Sequence, residues 1–242
     1  DVLDRNANGC VDLEEGRNYV SRRFHRLDAN RDESLDATEA PPAPNETTDT
    51  RPISLADWQD AYTARFASFD SDAKGVASRA AGGEVLNAFA RHIPWLLGGS
   101  ADLSPSTKTN LTFDGAGRFS ADDYSGRNLH FGIREHAMGA IANGMALSYL
   151  RPYTSTFLVF SDYMKPPIRL AAIMELPVVF VFTHDSIGVG EDGPTHQPIE
   201  HLTQLRATPG LLTLRPGDAN ETLELWKVAL AQTHRPSCVV LS

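Results

Sequence analysis

The run Pro177-Val178-Val179-Phe180-Val181-Phe182 is apolar at every position, in a chain where helix-like and strand-like patterns alternate. A strand that is apolar on both sides must be covered on both sides, and helical crossovers do this where hairpins rarely can. The spacing predicts strands near 95–98, 128–131, 153–159, 177–183, 211–215 and 238–241. It predicts helices near 79–93, 134–149, 163–175, 198–206 and 219–232. This alternation implies an α/β fold, a parallel sheet with helices on both faces. In such folds ligand chemistry gathers in loops at the carboxyl ends of the strands. The loop after the apolar run, THDSIGVGEDGPTHQP (183–198), packs two histidines, three acids and three glycines into sixteen positions, more than a simple connector needs.

Composition narrows the function classes. A net charge of −9 opposes non-specific binding to nucleic acid or to an anionic membrane. No apolar run approaches the ~20 residues of a membrane span. Cys10 and Cys238 sit in unlike contexts and make no disulfide framework; Cys238, within SCVVLS, reads as a small buried hydrophobe.

Three segments follow one another. Residues 1–40 are acidic and repetitive, 41–54 form a polar, proline-bearing linker, and 55–242 form the main domain, entered through the helix-spaced stretch 55–69. Within the first segment Asp4, Asn6, Asn8, Gly9 and Glu15 fit every specified position of a calcium loop, and Cys10 would add its carbonyl. The spacing recurs 24 residues later with Asp28, Asn30, Asp32, Ser34 and Glu39, although Glu33 stands where the turn glycine belongs. Two such loops in an EF-hand-like helical arrangement predict Ca2+ binding. The chain has no initiator Met, Asp1 already belongs to a motif, and the other end stops inside a strand-like run, so neither end has the look of a natural terminus, and a fragment of a longer polypeptide and one subunit of a split enzyme both fit.

In order along the main domain, GGSADLSPS (98–106), HFGIREHAMGAIANGMAL (130–147), TFLVFSDYM (156–164), the 183–198 loop and RPGDANE (215–221) resemble the pyrimidine-binding (Pyr) domain of transketolase. The resemblance implies transfer of two-carbon ketol units between phosphosugars, with thiamine diphosphate and Mg2+ as cofactors. Reactivity of thiamine diphosphate depends on a buried carboxyl aimed at its pyrimidine ring, and Glu135, opening an apolar helix after a strand, suits that role. On its own Glu135 would be a first-turn acid facing a helix dipole. The resemblance makes it catalytic, together with His196. It also implies cofactor binding by Phe157, Phe160, Tyr163 and Asp102, where the aromatics give flat surfaces for a ring. Arg79, Ser106 and His184 would grip a sugar phosphate, to which a guanidinium and a hydroxyl are suited. Asp192, with His196, would contact substrate hydroxyls.

Residues 1–70 do not resemble the diphosphate-binding (PP) domain, which in the family holds the magnesium. The family's phosphate-binding arginine would come just beyond Ser242. The site is therefore expected to be shared with a PP-domain chain or subunit in a homo- or hetero-oligomer, and the chain to be inactive alone. Sugar-phosphate chemistry points to the cytoplasm. The alternative is a non-catalytic, calcium-responsive binding module on a Pyr-domain scaffold.

Overall fold

The computed structural model describes residues 75–242 and, before them, a short antiparallel pair, Ser34–Leu35 with Ile53–Ser54. Apart from that pair, the calcium loops, the linker and the 55–69 stretch lie outside the described residues.

The main domain alternates as its pattern predicts. Helix α1 (Ser78–His92) leads to β1 (Leu96–Ser100), the short α2 (Ser104–Thr107), β2 (Asn128–His130) and α3 (Glu135–Leu147). Then come β3 (Arg151–Phe157), α4 (Ser161–Ile173), β4 (Val179–Thr183), α5 (His201–Arg206), β5 (Leu212–Leu214), α6 (Ala219–Ala231) and β6 (Ser237–Val240). The six strands form one sheet in the order β2-β1-β3-β4-β6-β5, and every neighbouring pair is parallel.

The strand pleat explains why β4 is apolar throughout. Val179 and Val181 point into a core layer shared with Leu86, Phe89, Leu223 and Trp226 of α1 and α6. Phe180 and Phe182 point into the opposite layer with Met138, Met164 and Ile168 of α3 and α4. Both phenylalanines are fully buried, each contributing about 1.5–3 kcal/mol over exposure. Cys238 lies in the second layer with its thiol pushed up in pKa by burial, the inert hydrophobe the sequence suggests.

A glycine and a buried hydrogen bond hold α3 and α4 close together. A Cβ at Gly139 would meet Pro167 Cγ at 2.7 Å and Met164 Cε at 3.2 Å. Asn143 Nδ2, one turn on, donates to the Pro167 carbonyl at 2.9 Å. Gly139→Ala is therefore expected to cost about 1–3 kcal/mol, read as a lowered urea midpoint. The RPGDANE motif has a local physical role: Asp218 caps α6 by accepting from the Glu221 amide at 2.7 Å, and Glu221 accepts in return from the Gly217 amide.

The predicted strand at 153–159 ends earlier, at Phe157, and Leu158–Phe160 is a tight 3-10 turn. Both forms suit an apolar run, so the pattern could not separate them. The turn decides where Phe160 goes.

Candidate active site

The chain goes from β1 to β2 on one side and then crosses to β3 on the other. The carboxyl ends of β1 and β3 therefore flank the switch point where open α/β sheets leave a crevice. A pocket of ≈ 570 Å³ lies there, lined by Ala101, Asp102 and Leu103 after β1, Ile133 and Glu135 after β2, Phe160 and Tyr163 after β3, and His196. Of the residues singled out in the sequence, Asp102, Glu135, Phe160, Tyr163 and His196 thus converge on one cavity.

Glu135 opens α3 and is 7% exposed. The fully buried Thr156 hydroxyl donates to its Oε1 at 3.3 Å. A carboxyl held in an apolar wall by a neighbour from the central strand is aimed rather than solvated. Facing it, the rings of Phe160 and Tyr163 lie 6.2 Å apart, and His196 meets Phe160 edge-on at 5.3 Å. His196 Nδ1 is paired with Thr195 Oγ1 at 2.8 Å.

Phe157 behaves differently from Phe160. It is buried, stacked parallel to Phe160 at 6.0 Å, and covered by the His184 ring at 3.7 Å, so it supports the site from below and does not line the pocket. His184 itself has φ 56 and Asp102 has φ 65, both left-handed at the carboxyl ends of strands. Neither is glycine, and strain of this kind persists where the surroundings hold it. Next to His184, Asp185 is anchored by Arg215 Nε at 2.7 Å, which ties the loops after β4 and β5.

Arg79 lies at the start of α1, where its amide donates to the Ser242 carbonyl at 3.0 Å beyond β6. Burial, and secondly the positive charge of Arg79, hold the His184 pKa below its ordinary 6.5, against a smaller opposing pull from Asp192. Arg79, His184 and the exposed Asp192 thus share one electrostatic neighbourhood beside the pocket. Ser106 is exposed at the end of α2 and does not line the pocket.

The lowered His184 pKa has a consequence for stability. Between its folded value and 6.5 the unfolded chain binds more protons than the folded one, so stability falls as pH drops through that window. The urea midpoint is expected to fall further in the native protein than in His184→Gln when pH is lowered from about 7 to about 5.5.

The sequence did not single out Leu103, Ile133, Thr156 or Thr183. Thr156 opens the TFLVFSDYM motif, and alternation along β3 would have placed its side chain on the same face as Thr154.

The described residues include one cluster of potential metal ligands, Asp162, Glu200 and His201, outside the pocket. There the buried His201 pairs with Asp162 at 3.1 Å and ties α5 to α4 beside Tyr163. No helix among the described residues is long and apolar enough to cross a membrane.

The family model for the transketolase pyrimidine-binding domain matches residues 74–242. This chain belongs to that family. It is 59% identical over 170 residues to the transketolase of Halalkalibacterium halodurans, a match covering 70% of this chain and 25% of that protein. A Pichia stipitis transketolase solved with sedoheptulose 7-phosphate superposes with a TM-score of 0.67 at 46% identity, over 71% of this chain and 26% of that one. A split-gene transketolase, described as an inactive β4 tetramer, superposes with a TM-score of 0.55 at 30% identity, over 69% of this chain and 51% of that one. The chain thus spans about a quarter of the length of the curated transketolase it matches.

Proposed function

We propose that this chain is the pyrimidine-binding part of a transketolase that moves two-carbon ketol units between phosphosugars. The observation that carries the reading is Glu135: a buried carboxyl, steadied by Thr156, in the wall of a switch-point pocket faced by the Phe160 and Tyr163 rings. A flat aminopyrimidine fits that donor set, an acid at its edge and aromatic faces across it. When bound, thiamine diphosphate supplies the carbon nucleophile that carries the ketol unit. Glu135 would present its carboxyl to the bound ring and exchange a proton there. Phe160 and Tyr163 hold the ring flat, Phe157 supports Phe160 from beneath, and Asp102 closes the β1 side.

His196 and Asp192 meet the sugar hydroxyls, and Arg79, Ser106 and His184 take the sugar phosphate. The diphosphate and Mg2+ need oxygen ligands on a PP domain, carried by a partner chain or by another part of the same polypeptide. Ile141 and Leu147 on α3, and Leu170 and Ile173 on α4, are exposed apolar side chains that a further subunit would cover. Phosphosugar substrates make the cytoplasm the fitting compartment. In this reading the main domain runs over 55–242, after a 41–54 linker. The 1–40 calcium loops, supported by their spacing, bind Ca2+.

The test is to mix this chain with a transketolase PP-domain chain, thiamine diphosphate and Mg2+. Ketol transfer is expected from the mixture and not from either chain alone. Activity of this chain alone would overturn the division of labour.

A further inference from the structure

Thr183 ends β4 fully buried, its Oγ1 2.8 Å from Nδ1 of His184. Among the described residues this is the one hydrogen bond its hydroxyl makes. A hydroxyl carries one proton, and a buried O–H left without an acceptor is destabilising. Nδ1 is the acceptor in reach. If Nδ1 carried the ring proton instead, it would donate to Oγ1 and leave the hydroxyl proton with nothing to bond. The bookkeeping of donors therefore puts the shared proton on Thr183 and the ring proton on Nε2.

The rest of the surroundings keep the ring from escaping this choice. Its backbone sits at φ 56, its face lies on Phe157 at 3.7 Å, and the next residue is clamped by Arg215. Burial and the nearby Arg79 favour the neutral imidazole. His196 makes the contrast clear: its Nδ1 also meets the preceding threonine at 2.8 Å, but Thr195 is exposed, so water can satisfy either arrangement.

We propose that Thr183 is a positioning residue that fixes His184 in its Nε2–H tautomer. The ring then meets an anionic oxygen as a ready donor, with no tautomer change on binding. That oxygen belongs to the sugar phosphate, a step that rests on the phosphate-gripping reading of His184 given above.

The test uses the full chain labelled with 15N-histidine, at a pH above 7, followed by long-range proton–nitrogen correlation. His184→Gln assigns the His184 signals. The native protein is expected to show His184 as Nε2–H alone, Thr183→Val to add an Nδ1–H population, and Thr183→Ser to restore the native pattern. An Nδ1–H ring in the native protein, or a Thr183→Val spectrum identical to native, would overturn the assignment. Inorganic phosphate, titrated into the same samples, is expected to shift the native Nε2 signal and to bind about fivefold more weakly to Thr183→Val. If the tautomers behave as stated but phosphate leaves His184 unmoved, the role of Thr183 stands and the phosphate reading of His184 falls.

Discussion

Glu135→Gln, assayed in a mixture with a PP-domain chain, is expected to lower ketol transfer by about 10²–10⁴-fold, the usual contribution of a positioned proton-transfer group. The change keeps the size of the side chain and its hydrogen bond from Thr156, so thermal stability should stay near native. What it would remove is the proton exchange that the proposed function assigns to this carboxyl. Phe160→Ala makes a useful companion, since losing the flat surface should weaken cofactor binding more than it slows turnover. A Glu135→Gln mixture with native turnover would mean that the pocket does something other than activate a pyrimidine ring.

The second large effect is on folding. Gly98 lies in the middle of β1, between β2 and β3. A Cβ there would come within 1.9 Å of the Tyr153 carbonyl oxygen and 2.8 Å of its Cδ1. Both atoms belong to the central strand, where Tyr153 is fully buried and its hydroxyl donates to the Thr109 carbonyl at 2.8 Å. The backbone cannot give way without shifting the sheet. Gly98→Ala is expected to destabilise by about 3 kcal/mol or more, lowering Tm by roughly 6–12 °C in a chain of this size. The same shift would move Asp102 and Leu103 at the end of β1, so the variant should also lose cofactor affinity. Native stability in Gly98→Ala would show that β1 and β3 are not packed as described.

The architecture was legible because its signals are periodic and local. Strand β4 is apolar at every position because both faces are covered, and α6 starts at a capping motif written in adjacent residues. Glu135 was legible only through the resemblance of its surrounding motif, since by itself it is a first-turn acid like many others. The residues around it were not. Thr156 reaches Glu135 across 21 positions, and Thr183 matters through burial and a missing second partner, neither of which spacing encodes. Phe157 and Phe160 look equivalent as letters, yet the 3-10 turn between them puts one beneath His184 and the other in the pocket. Helix α2 lies outside the helices that the spacing predicts, although Pro105 near its start is a helix-initiating signal. The left-handed backbones of Asp102 and His184 had no sequence signal, because neither residue is the glycine that usually marks such a turn.

The most direct measurement is a structure of this chain with a PP-domain partner, thiamine diphosphate and Mg2+. The pyrimidine ring is expected against Phe160, with a Glu135 carboxyl oxygen within about 2.6–3.2 Å of a ring nitrogen. A ring bound away from the switch-point pocket, or a Glu135 carboxyl that makes no contact with it, would mean that this pocket is not the pyrimidine site.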